Sequence, residues 1–120
     1  MKVVRRKDAP ARLIHEEERI YYLFDRLELI ISKVPVNYAQ PLHRHRQLYE
    51  LYYVIQGSVV IQEGDDRCEI SEGDSVLIEP SEAYHTVENV GPISALMVTV
   101  KVIPDKQSTR QLLESDKDSI

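Results

Sequence analysis

The sequence predicts an all-β domain, built as a sandwich or a barrel. Short Val/Ile/Tyr-rich runs follow one another along the chain, and its four glycines and six prolines fall between them or at their edges. Punctuation about every ten residues around such runs marks antiparallel all-β folds. No 3.6-residue apolar period occurs before residue 105, so no long helix competes with this reading.

Taken in order, the predicted strands are residues 20–24, a Tyr-rich apolar run, and 27–34, which ends at Pro35. Residues 51–56 and 58–62 follow, separated by Gly57. Residues 67–70 pair back onto 59–62 in the clearest hairpin, whose Gly64-Asp65-Asp66 tip suits a turn at positive φ. The turn Ser71-Glu72-Gly73-Asp74 leads into 75–79, Pro80 closes it, and 83–89 and 93–103 complete the set. The last run carries Leu96, Val98, Val100 and Val102 on one side and Ala95 and Met97 on the other. One small barrel cannot bury both faces of such a strand. The second face is expected to be covered by the N-terminal arm or, preferably, by a second copy in a two-fold homodimer. Residues 105–120 are polar and charged, and are read as a tail with one short helix around residues 108–114 and a frayed end.

At 120 residues and 13.9 kDa the chain has the size of one domain, too short for two domains with a cleft between them. A net charge of −5 argues against a nucleic-acid partner. The one cysteine, Cys68, excludes an internal disulfide and a multi-cysteine zinc site, and is read as a small buried hydrophobe. No apolar stretch approaches the roughly 18 residues of a membrane helix, and the basic start lacks the apolar run of a secretory signal. A cytoplasmic protein with no membrane partner is expected.

The chemistry lies in the histidines. His43-Arg44-His45 sets two imidazoles two residues apart, on one face of a strand. Glu50 follows five residues later; that odd separation would turn it to the opposite face of a straight strand, so a turn at residues 46–49 must bring it in from a neighbouring strand. His85 lies far downstream in another strand-like run. Three imidazoles and a carboxylate suit one divalent ion of Mn, Fe, Co, Ni, Cu or Zn and would leave coordination positions open. The alternative is that His43 and His45 are solvent-facing loop residues and Glu50 a strand-edge charge.

These residues resemble the two motifs of the cupin superfamily. The first, G-x5-H-x-H-x3-4-E-x6-G, is matched from Asn37 through His43, His45 and Glu50 to Gly57. The second, G-x5-P-x-G-x2-H-x3-N, is matched from Gly73 through Pro80 and His85 to Asn89. Asn37 replaces the first glycine and is the residue type best able to keep a left-handed turn there. Glu82 replaces the glycine before His85, and the Gly73-to-Pro80 spacing is one residue longer than the pattern.

The resemblance implies a single-domain, cupin-type jelly-roll β-barrel of six to eight strands over residues 1–104, with a tail over 105–120. It implies that His43, His45, Glu50 and His85 hold one divalent transition metal and that the partner is a second copy. Family activities include dioxygenases, isomerases, decarboxylases and non-catalytic ligand-sensing modules, so the fold does not settle the reaction. Dioxygenase chemistry on a small oxygenated metabolite is the expectation, from its frequency in the family. A small-molecule-binding or sensing module with a structural metal is the alternative. If Glu50 points inward, Tyr52 shares its face and becomes a candidate catalytic or substrate-contacting hydroxyl, against the plainer reading of a core tyrosine. Gln40, Glu82 and Tyr84 are candidate rim groups. Arg44 and Arg46 should face away from the metal, and His15 should lie on the surface.

Overall fold

Alternation decides which side chains meet. In the computed structural model, which describes residues 1–103 and 117–119, the described strands form two antiparallel sheets. In chain order they are β1 (Ala11–Ile14), β2 (Glu17–Leu23), β3 (Leu27–Val34), β4 (His43–His45), β5 (Tyr49–Gln56), β6 (Ser58–Glu63), β7 (Asp66–Ser71), β8 (Ser75–Ile78), β9 (His85–Glu88), β10 (Ala95–Val102) and β11 (Lys117–Ser119). One sheet runs β1-β2-β3-β10-β5-β8 and the other β11-β4-β9-β6-β7. This is the two-layer, all-β architecture of a jelly-roll barrel, with more strands than the expected six to eight.

The facing sides bury a core of Val34, Tyr38, Tyr52, Val54, Val59, Ile61, Ile70, Ile78, Val87, Ala95 and Met97. Strand register grades that core along the barrel. Val34 lies opposite Ala95, and Met97 lies between Ser32 and Val54. Thr99 then lies between Ile30 and Tyr52, and Lys101 between Glu28 and Glu50. Because opposed residues share a face, the interior is apolar at one end and polar at the other. The polar end is where the candidate site forms.

Two residues of the motifs hold this frame. Gly57 has φ +84°, and a Cβ there would sit 3.2 Å from the Ala95 Cα and 3.3 Å from the Ser94 carbonyl oxygen. Only glycine meets both the left-handed backbone and the close approach. Asn89 is fully buried. Its amide donates to the Val34 and Ile93 carbonyls, and its Oδ1 accepts from the Gly91 N–H, each at 2.9 Å. Asn89→Ala removes one bond from the buried Val34 carbonyl and two part-buried bonds, and is expected to cost about 3 kcal/mol. Urea denaturation of the two proteins checks this.

Several expectations change. The strand predicted from residue 20 begins at Glu17 and is preceded by β1, with the turn between them passing through His15 at φ 57°. The glutamate-rich stretch hides this hairpin, since Glu17 is completely buried. Cys68 is exposed, not buried. It lies on β7, the outermost strand of its sheet, where only Ile70 is buried. The predicted helix over 108–114 falls outside the described residues. The frayed end is replaced at residues 117–119 by β11, which pairs with β4. Asn37 does adopt the left-handed conformation, φ 63°. Glu82 is not among the positive-φ residues.

The side of the six-stranded sheet that faces away from the core carries exposed apolar residues: Leu51, Tyr53, Ile55 and Leu77. No helix among the described residues is long and apolar enough to cross a membrane.

Candidate metal centre

The two sheets contribute different halves of the site. β4 carries His43 and His45, and β9, which pairs with it at His43 opposite His85, carries the third imidazole. The chain then bends at residues 46–48 and crosses to the other sheet, where β5 presents Glu50. That crossing reconciles the odd His45-to-Glu50 spacing with a shared interior. One potential ligand atom from each of the four residues lies within 4.8 Å of the others. All four are buried, His85 completely.

His43 Nδ1 lies 2.8 Å from the Pro41 carbonyl oxygen. That acceptor requires the proton on Nδ1, which leaves the Nε2 lone pair turned to the cluster. His43 Nε2 is 4.0 Å from Glu50 Oε1, His45 Nε2 3.5 Å from Glu50 Oε2, and His85 Nε2 2.9 Å from Glu50 Oε1. Among the described residues, both ring nitrogens of His45 and Nδ1 of His85 are buried with no hydrogen-bond partner. Buried polar atoms normally have partners, and a cation between the imidazoles would supply one for His45. The donor set, its convergence and the unpartnered Nε2 of His45 fit a divalent transition metal.

The electrostatics agree. Burial, reinforced by His85, pushes the His43 imidazole down to about 3, so it is neutral and able to ligate at neutral pH. Burial alone would raise the Glu50 carboxyl. The His45 and His85 imidazoles and the Lys101 ammonium outweigh it and hold the group well below the usual carboxylate range. Tyr52 donates to Glu50 Oε1. Burial and the Glu50 charge hold its phenol well above its ordinary value, so it keeps its proton.

A stability profile follows for the metal-free protein. An unfolded chain takes up a proton at His43 near pH 6.5, while the folded one does so only near pH 3. The unfolded state therefore binds more protons between these values, and stability falls as pH drops through them, by up to about 1.4 kcal/mol per pH unit for one group. Glu50 adds in the same direction below the ordinary carboxylate range, because its folded value is depressed. Denaturation midpoints of chelator-treated protein from pH 7 to 4 should decline, and His43→Gln should flatten the upper part of that decline.

Through His43 and Glu50 the cluster meets a cavity of about 360 Å³. His43, Glu50 and Tyr52 form its floor, Glu17, Arg19 and Gln40 one wall, and Ser32, Thr99 and Lys101 another. Ile14, Ile30, His15 and Pro41 complete it. Gln40 is thus at the cavity, where its amide donates to Glu17 Oε1 at 2.8 Å. Glu17 also pairs with Arg19, which donates to it. Burial would lower the Arg19 guanidinium, but the Glu17 charge outweighs this and raises it.

Glu82 and Tyr84 are not among the cavity's lining residues. Glu82 is exposed and pairs at 3.2 Å with both Arg44 and Arg46, while the Arg44 guanidinium lies over the Tyr84 ring at 4.6 Å. The arginines do face away from the cluster, and they tie the loop before His85 to β4. The sequence reading missed Lys101, Arg19 and Glu17. Parity alone marks Lys101, two residues beyond Thr99 on the inward series Ala95, Met97, Thr99.

A two-sheet barrel with three imidazoles and a carboxylate gathered between its layers belongs to the class of small β-barrels with a candidate metal site in their interior. The family model for the cupin domain of the Cupin_2 family matches residues 30–100, and the chain belongs to that family. An uncharacterized protein of Methanocaldococcus jannaschii is 27% identical over 81 residues, covering 68% of this chain and 64% of that protein. The chain therefore spans less than two thirds of that relative's length.

Among solved structures, a Cupin 2 conserved barrel domain protein from Salinispora arenicola superposes with a TM-score of 0.72 at 18% identity, over 96% of this chain and 98% of that one. The polyketide cyclase RemF from Streptomyces resistomycificus superposes with a TM-score of 0.68 at 23% identity, over 90% and 84%. At these identities the likeness concerns the fold.

Proposed function

We propose that the protein is a metal-dependent enzyme acting on a small oxygenated metabolite, in the first instance a dioxygenase. The observation that carries this reading is the buried His43, His45, Glu50 and His85 cluster, which meets a cavity of about 360 Å³ at His43 and Glu50. A closed structural site would not need that space. A divalent ion held by these four residues would supply Lewis acidity toward a bidentate oxygen ligand and, for a redox-active ion, electron transfer with dioxygen.

The chain's own contribution is orientation and exclusion of water. Pro41 fixes the His43 ring, and Tyr52 fixes Glu50 while keeping its proton. Ile14 and Ile30 supply apolar lining. Isomerisation and decarboxylation use the same floor without oxygen, and the cyclase among the structural neighbours shows how far chemistry varies on this fold.

The test is oxygen uptake with product analysis over hydroxy-ketones, diketones, hydroxy acids and enols, with each divalent metal restored in turn. Uptake matched to product supports the dioxygenase; product without uptake supports isomerase or lyase chemistry. Intact substrates throughout, with ligand-induced stabilisation, would replace both by the binding-module reading.

The protein is further proposed to be a homodimer through the outward side of the six-stranded sheet. Leu51 lies opposite both Leu77 and Val100 there, and Tyr53 opposite Val98. Light scattering should give twice the 13.9 kDa chain mass, and Tyr53→Glu with Leu77→Glu should give monomers. An exposed free thiol at Cys68 fits the proposed reducing, cytoplasmic setting.

A further inference from the structure

The cavity wall opposite the imidazoles holds a cation that the metal site does not explain. Lys101 projects from β10 between Glu28 of β3 and Glu50 of β5, at the polar end of the barrel. Its side chain is only 13% exposed. Its Nζ lies 3.9 Å from Glu28 Oε2 and 3.8 Å from Glu50 Oε2. Both separations are too long for a direct hydrogen bond. An ammonium carries three donors, and removing it from water is costly unless they are used. Among the described residues none of the three is matched at hydrogen-bond distance, and the group lines the cavity.

The charge balance points the same way. Glu17 is paired with Arg19, so that wall is neutral. Glu28 offsets Lys101. With a divalent ion on the floor, Glu50 offsets one of its two charges, and the three imidazoles are neutral as ligands. One positive charge is left in a largely enclosed space, and the ion draws on the carboxylate that Lys101 otherwise faces.

We infer that this cavity takes a small organic anion with two oxygen donors, a carboxylate or an enolate, whose negative charge is shared between the metal and the Lys101 ammonium. The inference rests on the metal reading above and narrows it. Lys101 is the residue that selects an anionic ligand over a neutral one of the same shape. Thr99, one step deeper on the same inward series, and Gln40 on the facing wall offer neutral hydrogen-bonding groups beside it.

The experiment uses chelator-stripped full-length protein reloaded with Co2+, whose visible absorption reports on its ligands without turnover. Glycolate is titrated against glycolamide, its neutral isostere. The expected result is that glycolate perturbs the Co2+ spectrum and binds at least about ten-fold more tightly than glycolamide. Lys101→Met should abolish that preference with one Co2+ per chain retained, and Lys101→Arg should restore part of it. Equal binding of the two probes, or no response to either, overturns the inference while leaving the metal reading intact. So does a Lys101→Met protein that keeps the preference. Failure of wild type to bind Co2+ at all removes the metal reading and this one together. Should Lys101→Met not fold, Lys101→Gln makes the same comparison, and a glycolate preference undiminished in that variant overturns the inference.

Discussion

A protein carrying both His43→Ala and His85→Ala is expected to lose stoichiometric metal binding while keeping its fold. The two residues stand opposite each other on paired strands, so the change removes half of the donor set from one place. Contacts that merely support a metal ligand are each worth about 10–100-fold in affinity. Loss of two direct donors should therefore exceed about 1,000-fold. Equilibrium dialysis against each divalent ion measures the loss, and circular dichroism confirms that the β-structure survives. Both side chains are buried, and the alanines leave space beside the existing cavity, so a modest fall in melting temperature is expected as well.

The second large effect lies in a residue with no motif. Glu17 is completely buried, accepts from Arg19 and Gln40, and closes one wall of the cavity. Glu17→Ala leaves the Arg19 guanidinium, whose side chain is 14% exposed, without its counter-charge. Breaking a buried pair from one side costs about 3–5 kcal/mol. Replacing both members, as Glu17→Leu with Arg19→Leu, removes the stranded charge and should recover most of that loss. Urea midpoints of the single and double variants separate the two outcomes. A Glu17→Ala protein as stable as wild type would mean that solvent already screens the pair.

The same contrast explains what could be read from the sequence. The pair His43 and His45 was legible from period-two alternation, whereas Glu50 and His85 were joined to it by the resemblance to the two cupin motifs. His43 and His45 must share a face, and the odd step to Glu50 demands the bend that the chain makes at residues 46–48. The core strands were legible for a different reason, as short apolar runs set between glycines and prolines; the alternation of burial at Val34, Val54, Ala95 and Met97 emerges only in the structure.

The N-terminal hairpin was not legible, because its inward face is polar. Glu17 and Arg19 neutralise each other against the cavity, so the run from Glu16 to Arg19 looks like solvated surface. Lys101 was hidden by the same logic, as a charge at the end of an apolar strand normally reads as an exposed terminus. Cys68 misled in the other direction: cysteine is among the residue types most often buried, but its strand is otherwise polar apart from Ile70, and no described strand lies beyond it in the sheet. Glu82 drew attention as a departure from the cupin pattern three residues before His85. Its carboxylate turns outward to Arg44 and Arg46 instead. Side-chain direction in a loop is fixed by such partners and not by spacing.

The claim on which the rest stands is that these four side chains hold a metal. The most direct measurement is elemental analysis of wild-type protein, untagged and purified without chelator, then stripped and reloaded with Mn, Fe, Co, Ni, Cu and Zn in turn. The account predicts about one divalent transition-metal ion per chain, expected from the one such cluster among the described residues. It also predicts a rise in melting temperature on reloading, since an ion bound only by the folded state stabilises it. Metal-free protein after purification and after every reconstitution, with an unchanged melting temperature, would contradict it.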